Sequence, residues 1–313
     1  MQDGGTPGAR ADYLIFTVAT GSYTVYARIL GDTLRRAGST APFLVFTDGA
    51  PVPEADESRR LPWDYRRRMK YSPERWFIKY YVLKELARET GGHIVFMDSD
   101  VYARRPFDLS PLLDGPAAAF LEIDLETIPD TRWHDVECSR IVQHIRGLGW
   151  KGPVRSLNAG LFSVRADAVR DFLVHVYAMR RTFIQDEFAL AYAVAALNPR
   201  PPLLDDHREV YDSNAIDEGA VPAVLAGEPW DTLDWLTKRP LTVDPALVHY
   251  ASQKAAVASY FAPRLAELSF RNRLAELKAR ATRPTFARVL TAAGLADNDR
   301  FAVPRRAAIS DGG

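Results

Sequence analysis

Cysteine is nearly absent from this chain, and the absence excludes a fold built on disulfides. Cys138 stands alone among 313 residues, so no internal bridge forms and stability does not depend on oxidation. It lacks the surroundings of a catalytic thiol and reads as structural. Charge of one sign is also missing, since forty basic residues offset forty acidic ones. A nucleic-acid binder driven by phosphate neutralisation needs a surplus of Lys and Arg, and none is present. No apolar run approaches the ~18 residues of a membrane span. The stretch Met1 to Asp12 is Gly-rich and polar, without a signal-peptide core. A cytoplasmic location is the default expectation.

What is present is an ordinary globular composition, 47% hydrophobic, enough for one large core. Strand-like and helix-like segments alternate, which predicts an α/β fold. Tyr13 to Ala19 reads as a buried strand ended by Thr20-Gly21-Ser22, Tyr23 to Ala37 as an amphipathic helix, and Phe43 to Thr47 as a second buried strand. Pro51 to Leu61 is polar and reads as a loop. Trp76 to Glu89 predicts a helix on the spacing of Trp76, Tyr80, Leu83 and Leu86, closed by Gly91-Gly92. His93 to Met97 is a third buried strand. A strand around Gly160 to Val164 follows, then helices at Ala166 to Arg180 and Asp186 to Leu197. Phe261 to Arg288 reads as helical and basic. The two ends, 1–11 and 303–313, read as flexible.

The chemistry centres on Asp98-Ser99-Asp100, directly after the third strand. Two carboxylates two residues apart project to one side if the extended conformation persists. Paired hard oxygens suit Mg²⁺ or Mn²⁺, which neutralises a diphosphate leaving group. The same tripeptide is also a common turn. Asn158-Ala159-Gly160 joins a donor and acceptor for sugar hydroxyls to a residue that permits close approach. Gln185-Asp186-Glu187 opens a helix, where acidic residues are favoured by the macrodipole whatever their function. His249, in a short apolar run, offers a nitrogen ligand suited to Mn²⁺, and Lys254 five residues later could reach a phosphate.

In this order the motifs resemble the GT-A glycosyltransferases of family 8, which include glycogenin and bacterial lipopolysaccharide galactosyltransferases, and the related nucleotide-diphospho-sugar transferases. The resemblance covers roughly Tyr13 to Lys254. It rests on Thr17 to Tyr23 as nucleotide loop, Leu30-Gly31-Asp32-Thr33-Leu34, and Lys79 before the metal motif Phe96 to Val101. Asn158-Ala159-Gly160 with its apolar strand, Asp186-Glu187, and His249 through Lys254 complete the set. It implies a Rossmann-like GT-A domain over 12–260, with a central, mostly parallel sheet flanked by helices. A helical extension would follow over 261–302.

The same resemblance implies a nucleotide-diphosphate sugar as donor, UDP-linked, and transfer with retention. Asp98, Asp100 and His249 would hold Mn²⁺ or Mg²⁺. Thr17, Ala19, Thr20, Tyr23, Lys79, Ser99, Gly160 and Lys254 would join the two aspartates around the donor. Asn158, Gln185, Asp186 and Glu187 would be the catalytic and sugar-orienting set. Two positions depart from the family pattern. Glu187 stands where Gln is usual, unless Gln185 takes that role in a register shifted by one, and the Gly and Trp usual around Lys254 are missing.

A haloacid-dehalogenase-type phosphatase also places Asp-x-Asp after a strand, but expects Gly-Thr next and uses its first strand. A sugar nucleotidyltransferase expects a long basic Gly-rich loop after strand one, which Thr20-Gly21-Ser22 is not. A non-catalytic GT-A binding module is the third alternative. The acceptor (glycan, peptide or small natural product) is not encoded in any motif. Trp63, Trp133, Trp150, Trp230 and Trp235 fall in the candidate acceptor loops 51–72, 123–155 and 203–240. In the C-terminal helix Leu265, Leu268, Leu274 and Leu277 can form one stripe, with Arg271, Arg273, Lys278 and Arg280 alongside. Such a helix packs on its own domain, on a second copy, or on an anionic membrane.

Overall fold

The computed structural model describes residues 12–49, 51–61, 76–133, 136–180, 186–213, 216–234 and 237–281. Gln185, Trp63 and Trp235 lie outside them. In chain order the elements are β1 (Tyr13–Ala19), α1 (Tyr23–Arg36), β2 (Phe43–Thr47), β3 (Glu57–Arg60), α2 (Ile78–Leu86), β4 (His93–Met97), β5 (Val101–Ala103), α3 (Ser110–Leu113) and β6 (Ala117–Asp124). There follow β7 (Arg132–Trp133), β8 (Val136–Glu137), α4 (Cys138–Gly147), β9 (Arg155–Arg165), α5 (Val169–Arg180), α6 (Asp186–Leu197) and β10 (Tyr211–Asp212). The last are α7 (Val221–Ala226), β11 (Trp230–Leu233), β12 (Pro240–Val243), β13 (Leu247–His249) and α8 (Lys254–Ala281).

The expected α/β fold is present. Its main sheet runs β3-β2-β1-β4-β9-β6. The first four strands are parallel, and β9 joins β4 and β6 antiparallel. The strands are apolar almost throughout because both faces are covered. Aromatic residues in register tie the middle together: Phe16 pairs with Phe96 and Phe96 with Phe162 across β1, β4 and β9. Their ring centroids are 5.2 and 5.1 Å apart. The core on this face includes buried residues of α2, α5 and α6, and on the opposite face it includes α1. Cys138 is free and fully buried at the start of α4, the structural position its surroundings suggested.

Several expectations change. Residues 51–61 are not all loop, because Glu57–Arg60 adds an edge strand parallel to β2. Its polar sequence suits an edge, where one side faces water. β9 begins at Arg155 rather than near Gly160, so all of Asn158-Ala159-Gly160 lies inside the strand. Trp76 does not share the buried face of α2; it is about half exposed, whereas Tyr80, Leu83 and Leu86 are buried. Trp230 is buried with the Arg104 guanidinium 4.9 Å over its ring, which makes it core rather than a sugar platform.

The chain divides into two compact units, with the boundary between Ala262 and Pro263. α8 begins at Lys254 and contains Pro263, a residue without an N–H to donate to the helix ladder. In the second unit Leu265 is buried and Phe270 exposed, and the side chains from Arg273 onward lie outside the described residues. Among the described residues no helix is long and apolar enough to cross a membrane.

Candidate metal and donor site

Parallel strands deliver their carboxyl ends to one edge of the sheet, where loops converge. β4 ends at Met97, and the Asp98 N–H still donates to the Gly160 carbonyl at 2.8 Å. The chain then turns: the Val101 N–H donates to the Asp98 carbonyl at 3.0 Å, so Asp98-Ser99-Asp100 is a turn and not an extended segment. Strand alternation therefore is not what brings the carboxylates together. The turn feeds β5, which pairs antiparallel with β13 and sets His249 opposite Val101. The Tyr250 N–H donates to the Asp100 carbonyl at 3.0 Å and closes the arrangement.

The result is a cluster in which one ligand atom each from Asp98, Asp100 and His249 lies within 4.8 Å of the others. His249 Nε2 is 3.2 Å from Asp100 Oδ1 and 3.9 Å from Asp98 Oδ2. Asp100 and His249 are buried, while the Asp98 side chain is 36% exposed and forms the open side. Two carboxylate oxygens and an imidazole nitrogen are a donor set suited to Mn²⁺ or a similar divalent ion. The residues present fit such an ion.

The carboxylates are electrostatically distinct. Withdrawal from water and the charge of Asp100 push Asp98 up to about 6, against the pull of Lys79 and His249. Burial would also raise Asp100, but His249 and Lys254 more than offset it and hold its carboxyl well below the usual range. Burial disfavours the His249 cation, yet Asp100 and Asp98 draw its pKa upward. Lys254, the first residue of α8, places Nζ 2.6 Å from Asp100 Oδ2 and 3.3 Å from the Tyr23 hydroxyl. Tyr23 and the carboxylate turn thus meet at Lys254. Of the expected nucleotide loop, Thr17 and Ala19 are buried on β1, whereas Thr20 is partly and Tyr23 largely open. The Gly21 N–H is held by Asp48 Oδ1 at 3.0 Å.

Lys79 points elsewhere. Its buried ammonium pairs with Asp186 at 2.6 Å, donates to the Ala159 carbonyl at 2.9 Å, and lies 4.8 Å from the Phe96 ring centroid. Burial works against its charge, but Asp186 and Asp98 raise its pKa. Asp186 heads α6 as expected and is committed to this pair. Glu187, half-buried beside it, contributes negative charge to Lys79 and to Glu122.

Asn158 does not hold its oxygen free. Asn158 Oδ1 accepts from the Gly160 N–H at 2.8 Å and the Tyr211 hydroxyl at 3.1 Å, and lies 2.9 Å from His249 Nδ1. A Cβ at Gly160 would lie 2.8 Å from Asn158 Oδ1 and 2.9 Å from His249 Nδ1. A larger residue would have to push these two side chains aside.

Two residues absent from the sequence reading belong here. Tyr211 arrives because β10 pairs with β13; no motif signals it. Glu122, near the end of β6, accepts from Ser156 and Ser213 at 3.2 Å each. Burial and the charges of Glu187 and Asp234 push its pKa up to about 8, against those two hydrogen bonds. A carboxylate straight after the apolar run Ala117–Leu121 was a signal of the same kind as Asp98.

No family model matches the chain, and no curated protein matches it. Among solved structures it is similar to the bifunctional glycosyltransferase WbbM, with TM-score 0.45 and 13% identity over 79% of this chain. The chain spans 47% of WbbM's length, about half. It is similar to the galactosyltransferase LgtC in complex with donor and acceptor sugar analogues, with TM-score 0.44 and 16% identity, covering 76% of this chain and 87% of LgtC. It is also similar to the glycosyltransferase GlyE of Streptococcus pneumoniae, with TM-score 0.42 and 13% identity, covering 77% of this chain and 55% of GlyE. The chain thus resembles glycosyltransferases of known structure.

Proposed function

We propose that this chain is a metal-dependent glycosyltransferase of the GT-A type, moving a sugar from a nucleotide-diphosphate donor, UDP-linked, with retention of configuration. The observation that carries the reading is the convergence of Asp98, Asp100 and His249 at the carboxyl edge of the parallel strands, with the Lys254 ammonium beside them. A divalent ion held there supplies Lewis-acid charge that stabilises a departing diphosphate. Lys254 and Tyr23 border the same spot, which suits contact with the donor's phosphates and nucleoside. Thr17 and Ala19 on β1 and Ser99 in the turn are buried, and their part in the donor site is a further element of the proposal.

Glu187 is the carboxylate proposed to lie near the reacting carbon, where negative charge stabilises an oxocarbenium-like centre. Glu122, protonated at neutral pH, offers an O–H to a sugar hydroxyl. Asp186 and Lys79 act as a buried ion pair that anchors the head of α6, rather than by touching substrate. Gln185 lies outside the described residues and stays a candidate from its motif alone. A peripheral membrane contact or a homodimer through the C-terminal helix, and a cytoplasmic site of action, are further parts of the proposal.

The test is release of free nucleotide from a panel of nucleotide sugars by the purified protein, with Mn²⁺ or with EDTA. Metal-dependent release from one donor supports the reading and names the sugar. No release from any donor, with no Mn²⁺-dependent binding of UDP, assigns the fold to a binding module instead.

A further inference from the structure

Around Asn158 the hydrogen-bond pattern dictates which atom is which. A backbone N–H can only donate, so the side-chain atom that meets the Gly160 N–H at 2.8 Å is the carboxamide oxygen. The Tyr211 hydroxyl reaches the same oxygen. Tyr211 is fully buried, and burial keeps its phenol protonated at any working pH. The oxygen then faces His249 Nδ1 at 2.9 Å. Two acceptors at that distance repel, so Nδ1 carries the hydrogen, and in the neutral ring the lone pair is on Nε2. Nε2 is the nitrogen directed at Asp100 and Asp98, a contact that takes a shared proton or, in the proposed site, the ion.

The platform beneath this contact is rigid. The Ala159 carbonyl is bound by Lys79 at 2.9 Å and the Gly160 carbonyl by the Asp98 N–H at 2.8 Å. The two residues that follow Asn158 along β9 are therefore tied to α2 and to the end of β4. With three donors converging on it, that oxygen has no lone pair left for a sugar hydroxyl.

We propose that Asn158 is a positioning residue for the metal site, its side-chain oxygen fixing the tautomer and orientation of His249 so that Nε2 is presented to the ion. This rests on the proposed metal role of His249 and deepens it. Groups that orient a metal-ligating imidazole in this way typically change metal affinity by ~10- to 100-fold when removed.

The experiment is a double-mutant cycle read by direct Mn²⁺ binding, following the signal of free hydrated Mn²⁺, without turnover. Wild type, Asn158→Ala, His249→Ala and the double variant are titrated. Asn158→Ala is expected to weaken Mn²⁺ binding about tenfold or more. In that background His249→Ala should cost no more than about twofold, near the scatter of independent sites. If the two losses simply multiply, Asn158 does not act through His249 and the proposal is overturned.

Should Asn158→Ala fail to fold, Asn158→Asp decides. It keeps an acceptor oxygen for His249 Nδ1, exchanging the amide N–H groups for a second oxygen and a negative charge, so the full His249→Ala loss should persist in that background; its disappearance overturns the proposal. Absence of Mn²⁺ binding by the wild type would instead remove the metal reading itself, a result distinct from additive losses in a protein that binds.

Discussion

The Lys254 ammonium stands 2.6 Å from Asp100 Oδ2, with its Nζ 4.8 Å from the Tyr23 ring centroid. A cation on a flexible stem, half-buried and bound to the better-ionised carboxylate of the pair, is placed to exchange that partner for a phosphate oxygen. Charge-assisted hydrogen bonds contribute ~1.5–3 kcal/mol. Lys254→Met should therefore weaken UDP binding in the presence of Mn²⁺ by about tenfold or more. Calorimetric titration of UDP measures this, and an unchanged affinity would take Lys254 out of the donor site.

Lys79 and Asp186 form a pair whose side chains are 7% and 10% exposed. Removing one partner leaves a buried charge uncompensated, which costs ~3–5 kcal/mol. Lys79→Met should lower stability by about that amount in denaturant unfolding, while Lys79→Met with Asp186→Leu should regain much of it. A single variant as stable as wild type would show that the pair does not anchor α6.

Glu122 gives a pH prediction with a definite sign. Its carboxyl ionises near 4.5 when unconstrained and at about 8 in the fold. Between those values the folded chain binds more protons than the unfolded one, so this group makes stability fall as pH rises across the window. Glu122→Gln is uncharged throughout. Its melting temperature relative to wild type should climb from the acidic to the alkaline end of the window. A constant difference would mean that the buried carboxyl is not shifted upward.

Gly160→Ala would force a Cβ against Asn158 Oδ1 and His249 Nδ1. Overpacking of this kind costs ~1–3 kcal/mol. The variant should fold with reduced stability and lose Mn²⁺ affinity, because the clash falls on the imidazole. Thermal melts with and without Mn²⁺ separate the two effects: the stabilisation that Mn²⁺ confers on the wild type should shrink or vanish.

Much of the sheet was legible because β1, β2 and β4 are short apolar runs bounded by turn residues, a pattern that burial on both faces imposes. Asp98 and Asp100 were legible for the same reason, being polar residues at the end of such a run. His249 and Lys254 stood out only as parts of an ordered set of motifs. The edge strand β3 was not legible, since Glu57–Arg60 has the polar composition of a loop and becomes a strand only by pairing with β2. Tyr211 was invisible because its place depends on the pairing of β10 with β13, which no local pattern encodes. The bonding partners of Lys79 and Asn158 were not legible for a related reason. Residue type told what each could bond, but only packing told which partner had already taken the bond.

The pairing of β5 with β13 has a consequence for how the protein is made. Asp98 and Asp100, in the turn after β4, leave the ribosome long before His249 on β13. Until the late strand docks, the two carboxylates repel one another with no imidazole to balance them. If the proposed site holds a cation, its full set of ligands exists only once β13 has been made and has paired with β5.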